Sequence, residues 1–80
     1  MTEQKYQKTL IDKYREKGYY VIKLIKTNVN GIPDLLCLKI DEPPIFVEVK
    51  TKKGRLSKLQ EYRINELQKR GFIAIVDKEE

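Results

Sequence analysis

The chain reads as an α/β domain with element order αβββαβ, a mixed four-stranded sheet flanked by two helices. Three observations predict it. Segments 3–17 and 58–70 place apolar residues at helical spacing, each behind a hydroxyl that can cap a helix and before a glycine that can end it. Runs 19–26, 34–40, 45–51 and 72–77 are rich in β-branched, aromatic and other apolar residues and are bounded by Gly, Pro, Asn or Asp. The second helical segment lies between the last two runs, so a right-handed crossover makes those two strands parallel.

Taken in order, Thr2 caps the first helix and Gly18 ends it. Tyr6, Leu10 and Tyr14 form its inward stripe, with Ile11 at the margin. At about 100° per residue, Glu3 falls in the middle of that stripe. It either points with the stripe or complements the positive helix N-terminus from the first turn. The first strand follows, and Thr27-Asn28-Val29-Asn30-Gly31 supplies turn chemistry. Pro33 opens the second strand, where no ladder donor is needed. That strand is apolar on both faces, which predicts a central position.

Asp41-Glu42-Pro43-Pro44 turns the chain into the third strand. Alternation there puts Phe46, Glu48 and Lys50 on one face and Ile45, Val47 and Val49 on the other. Glu48 and Lys50 then lie about 7 Å apart along the strand. They form either an ordinary ion pair on a solvated face or part of an interior site beside Phe46. Ser57 caps the second helix, and Ser57-Lys58-Leu59-Gln60 fits a capping box. Gln60 also falls in the stripe Leu56, Gln60, Ile64, Leu67, which would turn it toward the sheet.

Whether Asp34 joins Glu48 depends on register, because a slip of one residue reverses every face. An odd-numbered hairpin loop or a bulge puts Asp34 on the Glu48 and Lys50 face. An even, unbulged loop puts it on the opposite one.

Composition narrows the chemistry. A chain of 80 residues is one small domain, 1–80, with little core to spare. One cysteine rules out an intramolecular disulfide, and Cys37 sits in an apolar run as a buried, idle thiol. The absence of histidine excludes His general bases and Cys/His zinc sites. Oxygen ligands remain, and with them Mg2+ or Mn2+. A net charge of +5 suits nucleic acid or another anionic partner. No apolar run approaches the ~18 residues of a membrane span and the N-terminus has no signal-peptide core, so a cytoplasmic protein is expected.

Two carboxylates and a lysine around one point suit phosphodiester cleavage. Asp34 and Glu48, with the Val49 carbonyl, can hold a divalent cation that polarises the phosphate and acidifies bound water. Lys50 can position that water and offset developing charge. Gln60 can orient the water or a phosphate oxygen, and Glu3 can complete the metal shell. The basic turn and its neighbours, Lys52, Lys53, Arg55, Ser57 and Lys58, either contact phosphates or form a solvated charged surface.

Glu3, Gly31-Ile32-Pro33-Asp34, Glu48-Val49-Lys50, Gly54-Arg55-Leu56-Ser57, Gln60 and Gly71-Phe72 together resemble the PD-(D/E)xK nuclease superfamily, and within it the VRR-NUC domains. The resemblance implies a restriction-endonuclease-like core and DNA cleavage dependent on magnesium or manganese. It also implies metal ligation by Asp34 and Glu48, Lys50 as catalytic lysine and Gln60 as accessory residue. Single-domain members look like those of viruses and mobile elements and are similar to homodimeric Holliday junction resolvases, so branched DNA is the expected substrate. Larger members join the module to helicase or other DNA-recognition domains, which leaves a replication or repair partner open. Two alternatives compete with the enzyme: a catalytically idle nucleic-acid-binding module on the same fold, and an accessory protein whose charge is incidental.

Overall fold

Local chemistry starts and stops both helices. The computed structural model describes all of residues 1–80. It contains α1 (Glu3–Glu16), β1 (Tyr20–Lys23), β2 (Leu35–Leu38), β3 (Ile45–Lys50), α2 (Lys58–Lys69) and β4 (Ile73–Lys78). Thr2 Oγ1 accepts the Lys5 amide at 3.2 Å, satisfying one of the orphan donors of the first turn. At the other end the Gly18 and Tyr19 amides donate back to the Arg15 and Tyr14 carbonyls. Gly71 and Phe72 repeat that pattern on Gln68 and Leu67. Both are Schellman closures, and both put glycine where the chain takes a left-handed conformation.

The strands form one sheet in the order β1-β2-β3-β4, antiparallel except for the parallel β3–β4 pair. This is the expected αβββαβ mixed sheet. On one face Leu10 and Tyr14 of α1 close over Leu35, Cys37, Val47 and Val49. Each of those fully buried aliphatic side chains contributes about 1.5–3 kcal/mol through removal from water. Cys37 is fully enclosed in this cluster, and burial pushes its thiol pKa up. The same helix is tied to β4 by Tyr6, whose hydroxyl donates to Asp77 at 2.9 Å, with the Tyr14 hydroxyl at 3.5 Å from the other oxygen. Burial and the Asp77 charge push both phenols up to about 12.

The other face carries Leu36, Phe46, Glu48 and Ala74, partly covered by α2 through the buried Ile64. Because α2 lies against β4, β2 is closed completely on one side only, and Leu36 and Leu38 stay half-buried.

Three strands are shorter than the sequence predicts, β3 by one residue and β1 and β2 by more. The β1–β2 ladder runs from Tyr20↔Leu38 to Lys23↔Leu35, and the Leu24 amide still reaches the Asp34 carbonyl at 2.8 Å. One step further Pro33 faces Ile25 at a position that carries no ladder bond to β1, and residues 25 and 26 lie outside the sheet. At the opposite end the chain turns where the Glu42 amide donates to the Lys39 carbonyl and Asp41 takes a positive φ of 63°. Ile40 therefore lies in a turn, 88% exposed, and not in β2.

Candidate active site

The register decides the site. Cys37 pairs with Ile45 and Leu35 with Val47, leaving residues 38–44, an odd-numbered loop, between the last partners. One step back along the ladder Asp34 stands opposite Glu48, on the same face. The Asp34 carboxylate accepts the Val49 amide through Oδ2 at 2.8 Å. The N–H and C=O of an extended residue leave the strand on the same side. The Val49 carbonyl is thus aimed toward Asp34, while the Lys50 carbonyl, which accepts the Glu79 amide at 2.9 Å, faces β4.

Glu48 is 1% exposed, and its Oε1 has no hydrogen-bond partner. Burial is the main reason its carboxyl is pushed up to about 8. Hydrogen bonding and charge from Asp34 add to the rise, and Lys50 partly opposes it. Two facing carboxylates offer each other no donor unless one is protonated, which is the direction in which Asp34 pushes Glu48. Lys50, also buried, brings Nζ to 3.7 Å from Glu48 Oε2 and to 3.9 Å from Glu3 Oε1. The loop after it lies close: a Cβ on Gly54 would meet the Lys50 Cδ at 3.4 Å.

Gln60 does both things its position allows. Its Oε1 accepts the Ser57 amide at 3.0 Å while Ser57 Oγ accepts the Gln60 amide at 3.1 Å, completing the capping box. Its Nε2 donates to Glu48 Oε2 across a long 3.4 Å. The cap on α2 and the carboxylate on β3 are thus joined by one side chain.

Glu3, on the first turn of α1, has a half-exposed side chain and reaches Lys50 rather than the carboxylate pair. Asp34, Glu48, Lys50, Gln60 and Glu3 are therefore brought to one place, but no three acidic side chains converge there. Ser57 is occupied by the cap. Lys52 and Lys53 line a separate cleft with Met1, Thr51 and Glu79, and Arg55 and Lys58 are exposed. Residues 24–26 were expected at the end of the first strand and 27–31 as the turn after it. They form the wall of the site beside Asp34, together with Gln60. An apolar Leu24-Ile25 pair between Lys23 and Lys26 is the one signal of that wall in the sequence.

No helix is long and apolar enough to cross a membrane. No curated relative matches the chain at a significant level. The family model of the VRR-NUC domain matches residues 1–78, which takes in every element from α1 to β4 and every side chain around Glu48. On that match the chain belongs to the VRR-NUC family and is a nuclease-type domain.

Proposed function

We propose that this domain is an endodeoxyribonuclease dependent on Mg2+ or Mn2+ that hydrolyses phosphodiester bonds in branched DNA as a homodimer. The observation that carries the reading is the enclosed Glu48 carboxylate, whose Oε1 has no partner, facing Asp34 and beside Lys50. An orphaned carboxylate oxygen is costly to bury, and a divalent cation is the partner that removes the cost. An all-oxygen donor set fits a hard cation, and no histidine or accessible thiol competes for it.

Asp34, Glu48 and the Val49 carbonyl would hold the ion, with water filling the remaining positions. When bound, it supplies a Lewis acid for the scissile phosphate and a lowered pKa for attacking water. Lys50 holds the nucleophilic water by hydrogen bonding and offsets the negative charge that grows on the phosphate. Glu3 restrains the Lys50 ammonium from the outer side, and Gln60 fixes the Glu48 carboxylate. Lys52, Lys53, Arg55 and Lys58 supply cationic surface for the backbone, consistent with the +5 net charge.

Self-association is supported by β4, an open edge strand on which Ile73, Ile75 and Val76 remain exposed, with Phe72 next to it. Exposed apolar edges invite pairing, and a two-fold dimer would present two sites to one branch point.

The test is incubation of wild type and Lys50→Ala with linear duplex, single-stranded, flap and four-way-junction DNA, with Mg2+, Mn2+ or EDTA. Cleavage that needs metal, favours the branched substrates and falls by about 10²–10⁴-fold in the variant is expected. Binding with no cleavage under any metal would identify an idle binding module instead. Sedimentation at micromolar concentration checks the dimer.

A further inference from the structure

Residues 24–34 leave β1 and return to β2, and their ends are closed by the Leu24–Asp34 backbone bond. Leu24, Ile25 and Asp34 line two clefts of about 370 and 400 Å3, one on each side of this segment. Lys26 lies in the first with Gln60, and Lys23 in the second with Gln4 and Gln7. Ile25 is thus a ridge with a cation on either side and a site carboxylate at its foot. It is 83% exposed.

The ridge is braced rather than loose. Thr27 Oγ1 donates to the Val29 carbonyl at 2.8 Å, closing a local turn. Arg63 Nε on α2 donates to the Asn30 carbonyl at 2.7 Å. Gly31, at φ +81°, is pressed against Leu59 so closely that a Cβ would lie 2.7 Å from its Cγ. Ile25 itself is β-branched and stiff at χ1. These contacts hold the turn that follows Ile25, and Ile25 itself stays exposed to solvent.

We propose that Ile25 is a wedge that enters an unstacked or unpaired base step while Lys23 and Lys26 take the backbone phosphates on its two sides. Inserting an apolar side chain costs stacking energy in continuous duplex and little where the stack is already broken. The ridge would therefore set the preference for interrupted DNA next to Asp34. This deepens, and rests on, the nuclease reading.

The experiment measures binding in Ca2+ to linear duplex and to a four-way junction carrying 2-aminopurine at the branch, with cleavage in Mn2+ followed separately. Wild type is expected to bind the junction at least tenfold tighter than linear duplex and to raise the 2-aminopurine fluorescence. Ile25→Ser should cut that ratio about fivefold or more and abolish the fluorescence rise. Ile40→Ser, an exposed change on a turn of the β2–β3 connection, should retain both. Lys23→Ala and Lys26→Ala should each lower the salt dependence of binding by about one released ion. An unchanged ratio and fluorescence in Ile25→Ser overturns the wedge, as does a change of oligomeric state in that variant, which would place Ile25 between copies of the chain. Absence of cleavage by wild type would refute the nuclease reading alone, since the fluorescence arm reads the wedge without it.

Discussion

Replacing Glu48 by glutamine tests the site through stability, independently of catalysis. The Glu48 carboxyl is pushed from 4.5 to about 8. At about 1.36 kcal/mol per unit, that opposes the ionised form by roughly 5 kcal/mol. The folded chain holds this proton where the unfolded chain releases it. The contribution to stability is thus fully present below the unfolded value near 4.5 and is lost as pH rises through about 8. Between about pH 5 and pH 8, roughly 3 kcal/mol of the loss should be expressed, a large part of the stability of a small domain. Glu48→Gln keeps the shape, supplies an N–H toward Asp34 and cannot ionise. Urea denaturation of both proteins in EDTA at several pH values reads the effect as a difference between them, so other titrating groups cancel. The variant should gain on wild type by roughly 3 kcal/mol across the window. Saturating Mn2+ should restore wild type at high pH, because the cation replaces the proton, and leave the variant unmoved. Parallel pH profiles for the two proteins would refute the account of Glu48 as a buried carboxylate with a raised pKa.

Gly31→Ala forces a side chain into a left-handed conformation against Leu59. A loss of roughly 2 kcal/mol or more is expected, about 10 °C in Tm, with partial rescue by Leu59→Ala; an unchanged Tm would contradict the close approach. Gln60→Ala should cost about 1 kcal/mol of cap and lower the cleavage rate, whereas Gln60→Glu should recover the stability but not the rate. If Gln60→Glu recovers both, the amide donor to Glu48 has no part in the site. Tyr6→Phe removes the hydroxyl that donates to the Asp77 carboxylate at 2.9 Å. Chemical denaturation near neutral pH should register a loss of about 1.5 kcal/mol, and a neutral result would mean that water replaces this bond without cost.

Local residues determined much of this protein. Thr2, Gly18, Ser57 and Gly71 place the helix ends because capping is settled within one turn of chain. The two-residue period of β3 put Glu48 and Lys50 on one face before any partner strand was known. The family resemblance was legible for the same reason: Pro33-Asp34 and Glu48-Val49-Lys50 stand at short spacings at or within single strands. Tertiary structure decided what depends on pairing between distant segments. Asp34 meets Glu48 only because the β2–β3 register leaves an odd-numbered loop, and the sequence permits either parity. Gln60 resolved as cap and site partner together because the first turn of α2 lies close enough to Glu48 for one amide to span both. Glu3 met a lysine instead of the carboxylates because α1 brings its first turn to the Lys50 end of β3. Residues 24–32 became a wall of the site only once Arg63 and Leu59 of a helix 30 residues away had braced them. Faces follow from local geometry; which faces meet follows from register and packing, which no local pattern encodes.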